Sequence, residues 1–364
     1  MMTKQPILLL NQAITTHALD GVLITDPKHV YYLTGFASNP HERFLGLVLV
    51  QGEEPTLIVP SLDEEAATAA STVKNIVTHQ DTDNPYVILK KYLPLTMNNF
   101  GIEKDHLSLS RYEELVHYAE AKNFVDIGPL LRELRVRKAP HEVERMKVAA
   151  NLIEEVLRRG LTHVKEGVTE VELVAEMEYQ MKKLGASGPS FDTMVLSGPN
   201  TALPHGVPGS RKLAYGDLLM FDMGVYVNGY ASDITRTFAF GELSPELTKV
   251  YNTVLEANLK GIESVKPGVT LGSVDLAARQ VTIDAGYGER FLHRLGHGLG
   301  IDVHEYPSVH GANQELLTEG MAFTIEPGIY VPGLGGVRIE DEVIVTAGGV
   351  ELLTSFPKEL QILG

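Results

Sequence analysis

Short apolar runs alternate with segments of helical spacing through residues 1–125. The apolar runs are rich in β-branched and aromatic residues and are bounded by Gly, Pro or Asp, which predicts strands at 21–25, 30–36, 44–50 and 56–60. Apolar residues recur at helical spacing in 62–71, 86–94 and 110–122. We therefore expect a small N-terminal α/β domain over residues 1–125.

A charged connector follows this domain. Residues 126–140 contain two prolines and a glycine, so we predict a linker there and a second domain over residues 141–364. Thr169 and Glu172 have the T-x-x-E form of a capping box, which opens a helix. The order helix, helix, strands occurs twice in the second domain, which hints at an internal duplication. Its predicted helices are 141–159, 169–184, 245–265 and 270–285, and its predicted strands lie near 191–197, 218–227, 230–240, 321–326 and 337–346.

The composition narrows the class of protein. The chain has 364 residues, of which 44% are hydrophobic and 21% charged, as is ordinary for a globular protein of about two domains. Its 31 basic and 47 acidic residues give a net charge of −16, which argues against a nucleic-acid partner. The absence of cysteine excludes disulfides, thiolate metal sites and cysteine nucleophiles.

The hydropathy pattern shows whether the sequence contains a membrane span or a signal peptide. No apolar stretch approaches the roughly 20 residues that a membrane span needs. The N-terminal segment is typical of an amphipathic helix and not of a signal peptide. We expect a cytoplasmic protein with no membrane partner.

Two acidic residues interrupt the strand-like stretch FDMGVYVNGYASDITRTF. Asn228 and Gly229 predict a hairpin turn that would bring Asp222 and Asp233 close together. Burying an unpaired carboxylate costs several kcal/mol, and two carboxylates side by side also repel each other. Either salt bridges, for example with Arg236, or bound cations must offset that cost.

Three further residues favour bound cations. His297 lies between two glycines in RLGHGLG, Glu326 ends an apolar run before a Pro-Gly pair, and Glu340 lies within the β-forming run VRIEDEVIV. Four carboxylates in apolar settings need a common counter-charge, which two divalent cations about 3.5–4 Å apart supply in two-metal hydrolytic sites. The neighbouring acids Asp341 and Glu342 are expected to point outward or to form salt bridges. The sequence contains neither a G-x-S-x-G elbow nor an H-E-x-x-H zinc motif.

These five residues, in their order, spacing and GHG, EPG and RIED contexts, resemble the ligands of the metallopeptidase family with the pita-bread fold. That family contains methionine aminopeptidase, aminopeptidase P and prolidase. The segments DPKHVYYLTGF and NPHERFLGLVL are similar to the N-terminal domain of bacterial Xaa-Pro dipeptidases, a domain that methionine aminopeptidase usually lacks. The resemblance implies an α/β (α+β) fold: a small N-terminal α/β domain, then a pita-bread domain whose two αββ halves, related by a pseudo-twofold axis, form a curved antiparallel sheet.

The resemblance also implies which metal ion each ligand would bind. Asp222 would hold one metal ion, and His297 and Glu326 would hold the other. Asp233 and Glu340 would bridge the two ions. Mn²⁺ is expected from the oxygen-rich ligands, with Co²⁺ and Zn²⁺ as alternatives. Glu326 would also carry the proton from the attacking water to the leaving proline nitrogen.

Other residues are implied to lie near the substrate. His205 corresponds to a family histidine close to the substrate, and His304 would donate a hydrogen bond to the substrate carbonyl oxygen or to the developing oxyanion. His293 would line the pocket. Arg338 would either bind the substrate carboxylate or neutralise the acid cluster, and both alternatives stay open.

The charged loop NPHER, residues 39–43, also has two explanations. It is either a solvated turn or a functional loop, because prolidases are homodimers in which N-domain loops approach the neighbouring active site. In the second case His41 or Arg43 would limit substrate length or bind the free carboxylate. The resemblance thus implies a homodimer.

The expected function is that of a dinuclear-metal Xaa-Pro dipeptidase, which hydrolyses the imide bond before a C-terminal proline. The alternative is aminopeptidase P, which acts on longer peptides with proline second. A different class, a binding protein on the same fold, would have lost the metal ligands, and here all five are present.

Overall fold

The structure, a computed structural model, describes residues 6–364. The chain divides into two compact units, Met1–Arg135 and Val136–Gly364. The division falls inside the segment 126–140, most of which is helical, and the next helix begins at Pro140. The prolines of this segment lie in the first turns of the two helices, where the missing N–H has no helical partner to lose.

The first unit contains a mixed sheet with the strand order β4-β3-β2-β1-β5-β6, in which β2 runs antiparallel to both of its neighbours. Its strands are β1 Gly21–Ile24, β2 Gly46–Val50, β3 Thr56–Pro60, β4 Asn75–His79, β5 Met97–Ile102 and β6 Ala121–Asp126. Its helices are α1 Pro6–Thr16, α2 Pro27–Thr34, α3 Glu64–Ala70, α4 Pro85–Lys90, α5 Leu109–Tyr118 and α6 Gly128–Val136, with a 3-10 turn at Ser61–Asp63.

Both faces of this sheet are buried. Val22 and Ile24 of β1 belong to one apolar cluster, and Leu23 between them belongs to another. Side chains alternate between the two faces of a strand, so a strand covered on both sides is apolar throughout. The continuous run GVLI follows from this arrangement.

The predicted strand at 30–36 is wrong, because this segment lies in helix α2 and the turn after it. Asp26 accepts a hydrogen bond from the N–H of Lys28, and Pro27 occupies the first helical position. Gly35, with φ of 82°, ends the helix. These capping signals outweigh the β preference of the apolar run between them. Strands β4, β5 and β6 are also absent from the strands that the apolar pattern predicts.

The second unit contains two pairs of helices and several sheets, whose strands pair antiparallel except for a short parallel edge strand at Ile362–Leu363. Its helices are α7 Pro140–Gly160, α8 Glu170–Lys183, α9 Pro245–Ser264 and α10 Leu271–Asp284, with 3-10 turns at Leu161–His163, Gly198–Ala202 and Gly288–Arg290. Its strands are β7 Gly188–Pro189, β8 Met194–Ser197, β9 Asp217–Met223, β10 Val225–Val227, β11 Tyr230–Ala231, β12 Ile234–Phe240, β13 Gly296–Gly298, β14 Glu305–Val309, β15 Ala322–Ile325, β16 Gly328–Val331, β17 Gly335–Arg338, β18 Asp341–Thr346, β19 Gly349–Leu352 and β20 Ile362–Leu363. No helix within residues 6–364 combines the length and the apolar character that crossing a bilayer requires.

The two halves of this unit repeat one arrangement. Helices α7 and α8 pack on the sheet ordered β20-β12-β9-β8 through residues such as Met177 and Phe221. Helices α9 and α10 pack on the sheet ordered β14-β13-β15-β18-β19 through residues such as Ala278 and Phe323. The duplicated order of helices and strands predicted from the sequence is confirmed.

Two local predictions in this unit are also confirmed. Thr169 and Glu172 form the capping box at the start of α8. Asn228 and Gly229, with φ of 51° and 80°, form the turn between β10 and β11. Both positions need positive φ, which Asn and Gly tolerate best.

Candidate metal centre

A cavity of about 750 Å³ lies in the second unit. Its lining includes the five predicted metal ligands and four further predicted residues, namely Asp222, Asp233, His297, Glu326, Glu340, His205, His293, His304 and Arg338. The fold therefore brings together side chains that are spread widely along the sequence.

The two halves of the unit each supply ligands to this cavity. Asp222 lies in β9 opposite Thr235 of β12, and Asp233 lies one residue before β12. The second half supplies His297 from β13, Glu326 directly after β15 and Glu340 directly before β18. The ends and edges of short strands thus direct these polar groups into one space.

The imidazole of His297 is oriented for ligation. Its Nδ1 lies 3.1 Å from the carbonyl oxygen of Gly298, the hydrogen-bond acceptor that fixes its proton on Nδ1. Its Nε2 lies 3.5 Å from Asp233 Oδ2 and 3.4 Å from Glu326 Oε1. Burial lowers the pKa of His297 to about 3, so the ring is neutral and Nε2 has a free lone pair.

Three overlapping groups of side chains could each hold an ion. In each group, one ligand atom per residue lies within 4.8 Å of the others. The groups are Asp222 with Asp233 and Glu340, His297 with Glu326 and Glu340, and Asp233 with His297 and His304. Because Glu340 belongs to the first two groups, the donors could serve two neighbouring ions.

The acids of the cavity have too little positive charge beside them: Arg338 pairs with Asp222, and its charge offsets only part of the rise in the pKa of Glu326 and Glu340. Burial raises the pKa of Asp233 well above its ordinary value, and the charges of Glu340 and Asp222 raise it further. Burial and the charges of Glu326 and Asp222 likewise raise the pKa of Glu340, and burial raises that of Glu326 to about 7. Bound cations would lower these pKa values and keep the groups ionised at neutral pH.

One atom of Glu340 gives direct support for an ion. Its Oε2 accepts a hydrogen bond of 2.8 Å from Thr235 Oγ1. Its Oε1 is buried and has no hydrogen-bond partner among the described residues. A buried polar atom is nearly always partnered, so an oxygen of this kind among other carboxylates fits a divalent cation. The residues present therefore fit the metal site expected from the sequence.

The salt-bridge explanation holds for Asp222 alone. Arg236 pairs with Asp341, at 2.8 Å, and Arg338 pairs with Asp222. Within the part of the chain that the structure describes, no lysine or arginine lies within 4.0 Å of the carboxylates of Asp233, Glu326 or Glu340.

Arg338 lies in a chain of hydrogen bonds along the cavity wall. Its guanidinium donates to Thr235 Oγ1 at 3.1 Å, to Tyr330 Oη at 2.8 Å and to Asp222. Tyr330 Oη also lies 2.9 Å from His293 Nε2. Burial lowers the pKa of His293 to about 4 and raises that of Tyr330 to about 12, so both are neutral. Sequence reasoning missed Tyr330, although it lies four residues after Glu326 in the same apolar run.

The loop that carries His205 is anchored by a second residue that sequence reasoning missed. Glu170 is buried, and its carboxylate accepts hydrogen bonds from the N–H of Ser197, at 2.8 Å, and of Gly209, at 2.9 Å. These residues lie at the two ends of the loop, and His205 is exposed between them. His304 is also exposed, with its ring 3.8 Å from that of His297.

The two acids beside Glu340 do not point outward. Asp341 is buried and pairs with Arg236 and Lys358, as the salt-bridge alternative required. Glu342 is also buried, and its Oε1 accepts a hydrogen bond of 2.8 Å from the N–H of Asp233. Burial raises the pKa of Glu342 to about 8.

His41 and Arg43 belong to the first unit. Arg43 Nε and Nη2 donate to Asp81 at 2.8 and 3.1 Å, and Arg43 Nη1 lies 3.3 Å from Glu42. His41 is exposed, with φ of 55°. These contacts agree with a solvated turn, and a part for either residue in substrate binding stays a prediction.

Comparison with known proteins defines the class. Residues 144–347 match metallopeptidase family M24, and residues 7–137 match the creatinase/prolidase N-terminal domain. A Bacillus subtilis protein, YkvY, named provisionally as a dipeptidase, is 47% identical over 94% of this chain and 95% of its own length. The chain belongs to metallopeptidase family M24.

Solved structures show the same architecture. An Xaa-Pro dipeptidase from Bacillus anthracis has a TM-score of 0.92 at 36% identity and covers 98% of this chain and 99% of its own. An X-Pro aminopeptidase from Thermotoga maritima has a TM-score of 0.88 at 32% identity and covers 95% of this chain and 98% of its own. The expected fold, a small N-terminal domain followed by a pita-bread domain, is confirmed.

Proposed function

We propose that the protein is a dinuclear-metal Xaa-Pro dipeptidase, which hydrolyses the imide bond before a C-terminal proline. The observation that carries the proposal is the pair of three-residue ligand groups that share Glu340. The similarity to an Xaa-Pro dipeptidase along nearly the whole chain supports the substrate class.

The donors would divide between two ions. Asp222 would hold the first ion, His297 and Glu326 the second, and Asp233 and Glu340 would bridge them. Mn²⁺ is the proposed metal because four of the five ligands are carboxylates, with Co²⁺ and Zn²⁺ as alternatives. Divalent ions at such a site supply Lewis-acid chemistry, in which water becomes a nucleophile at neutral pH and the scissile carbonyl is polarised.

The side chains of this chain would perform the remaining steps. Glu326 would accept the proton of the attacking water at a carboxylate oxygen and donate it to the leaving proline nitrogen. His304 and His205 line the same cavity, and His304 would donate a hydrogen bond to the substrate carbonyl oxygen. His293 would form part of the pocket wall. Arg338 pairs with Asp222, and this contact supports a role in neutralising the acid cluster. A role in binding the substrate carboxylate remains a proposal.

The second candidate function is that of aminopeptidase P, which would use the same ligands on longer peptides. The similarity to the Thermotoga maritima enzyme favours it. The two candidates differ in the length of substrate that the cavity admits.

The test compares substrates on chelator-treated protein with and without added Mn²⁺. We expect Mn²⁺-dependent cleavage of Leu-Pro and little cleavage of a longer peptide with proline second. Cleavage of the longer peptide alone would contradict the dipeptidase and support the alternative. Glu340→Gln should lower the metal content and reduce the rate by about 100-fold or more, because a two-metal site would lose a shared ligand. Glu319→Gln, the same change at an exposed position, should match the unaltered chain.

The remaining proposals concern the whole protein. We propose a cytoplasmic homodimer with an N-terminal domain over residues 1–125, a linker over 126–140 and a catalytic domain over 141–364. His41 and Arg43 would then act at the neighbouring subunit's site. Sedimentation at micromolar concentration tests the dimer, and a monomer would contradict it.

A further inference from the structure

Asn258 joins two stretches of backbone that carry metal ligands. It lies in α9 and is fully buried. Its Nδ2 donates hydrogen bonds to the carbonyl oxygens of Ile325, at 3.1 Å, and Ile339, at 3.3 Å. These residues immediately precede Glu326 and Glu340, so a single amide nitrogen contacts the peptide groups that lead into both ligands.

The N–H groups of the same two peptide bonds also form hydrogen bonds. The N–H of Glu326 donates to the carbonyl oxygen of Leu295 at 2.8 Å, and the N–H of Glu340 donates to that of Thr235 at 3.1 Å. Each peptide plane is thus fixed through both its C=O and its N–H. The orientation of a peptide plane sets the direction in which the next side chain leaves the backbone. Asn258 therefore helps to set the direction of the Glu326 and Glu340 side chains.

The amide of Asn258 can adopt only one orientation. Lys358 Nζ donates to Asn258 Oδ1 at 3.1 Å and to Asp341 Oδ2 at 2.6 Å. A lysine ammonium accepts no hydrogen bond, so the amide oxygen must face it. The amide nitrogen then faces the two carbonyl oxygens, and both of its hydrogens are used.

We propose that Asn258 is a positioning residue for the metal centre, one that sets the separation of Glu326 and Glu340 and through it the affinity for divalent ions. The inference rests on the proposed function, since it needs ions at this site. Partners that orient metal ligands typically alter metal affinity by about 10–100-fold when they are removed.

The test replaces Asn258 by Asp, which keeps the size and the acceptor for Lys358 but has no N–H for the two carbonyl oxygens. We expect Mn²⁺ affinity, measured by titration calorimetry, to fall by about 10–100-fold. The visible absorption of the Co²⁺-loaded protein should change as well, because it reports the arrangement of ligands. The matched control is Thr253→Val, since buried Thr253 of α9 donates only within its own helix, to the Lys249 carbonyl at 2.9 Å. This control should keep the unaltered affinity and spectrum.

The outcomes are separable. Unaltered affinity and spectrum in a folded Asn258→Asp chain would overturn the inference. If that variant does not fold, Asn258→Leu, which keeps the branched shape but also lacks the N–H donors, decides instead: weaker Mn²⁺ binding supports the inference, and equal binding refutes it. An unaltered chain that binds ions but cleaves no Xaa-Pro peptide contradicts the proposed function alone, whereas one that binds no ions overturns both.

Discussion

Arg338, Tyr330 and His293 form a continuous chain of hydrogen bonds along one wall of the cavity. The hydroxyl of Tyr330 is its central atom, because it accepts from Arg338 and lies within hydrogen-bond distance of His293. A buried donor or acceptor that loses its partner costs about 1–3 kcal/mol. The position of Arg338 therefore depends on a residue that lies outside the predicted ligand set.

Tyr330→Phe tests this dependence at the scale of one atom. We expect kcat/KM for Leu-Pro to fall about tenfold, equivalent to about 1.4 kcal/mol, while the metal content stays unaltered. The control is Tyr251→Phe, which removes another buried hydroxyl that donates to the Lys358 carbonyl at 2.8 Å. Equal kcat/KM in the two variants would contradict a specific part for Tyr330.

Arg43→Ala tests the two explanations of the NPHER loop. If Arg43 contacts the substrate carboxylate, KM for dipeptides should rise about tenfold or more without loss of metal, because a charged hydrogen bond contributes about 1.5–3 kcal/mol. Asp81→Asn breaks the ion pair of Arg43 but keeps the guanidinium, so it should not raise KM. An unaltered KM in Arg43→Ala would leave only the solvated turn.

Residue types explain which parts of the site could be predicted from the sequence. Asp222 and Glu340 stand out because carboxylates are rare inside apolar strands, so their chemistry is visible without a structure. Tyr330 and Asn258 do not stand out, because a tyrosine in a strand and an asparagine in a helix are ordinary. Their partners are distant in the sequence, and only the folded chain brings them together.

Helix α2 is fixed at its start by a carboxylate from a neighbouring strand. Glu103 directly follows β5 and is buried. Its carboxylate accepts hydrogen bonds from the N–H groups of Thr25 and Asp26 and from His29 Nδ1. Burial raises the pKa of Glu103, but these hydrogen bonds, that of His29 above all, offset burial and hold the pKa below its ordinary value of 4.5.

The pH dependence of stability follows from that lowered pKa. Glu103 contributes stability that is fully present above pH 4.5 and is lost as the pH falls through its lower folded-state value. We expect Glu103→Gln to lower the free energy of unfolding by about 1–3 kcal/mol at pH 7, measured with urea. The difference from the unaltered chain should shrink below pH 4, and a constant difference across this range would contradict the assignment.

The same helix shows why some elements escaped prediction. The run VYYLTGF has strong β preference, and its helical state depends on Asp26, Pro27 and Gly35 at the two ends. Capping residues act over a few positions, whereas the apolar pattern is averaged over a longer window. The pattern therefore predicted a strand where the caps favour a helix. In the second unit the long amphipathic helices and the Asn-Gly turn carry consistent local signals, and these were predicted well.

At the scale of the whole molecule, ions at the site should stabilise the fold by mass action. Divalent ions at 100 times their dissociation constant should raise the free energy of unfolding by about 2.7 kcal/mol per independent site. Calorimetry of the chelator-treated chain with increasing Mn²⁺ should show a midpoint that rises with concentration. Glu340→Gln should show little of this rise, and an unaltered midpoint in the parent chain would contradict a metal centre built from these residues.

The position of the ligands along the chain has a consequence for this protein, which contains no cysteine. Asp222 and Glu340 come from opposite halves of the duplicated unit and lie more than one hundred residues apart. An ion between them would act as a reversible cross-link that closes a long loop, the task that a disulfide performs in secreted proteins. Withdrawing the ion would then weaken the joint between the halves, so metal supply would affect the stability of the fold as well as its chemistry.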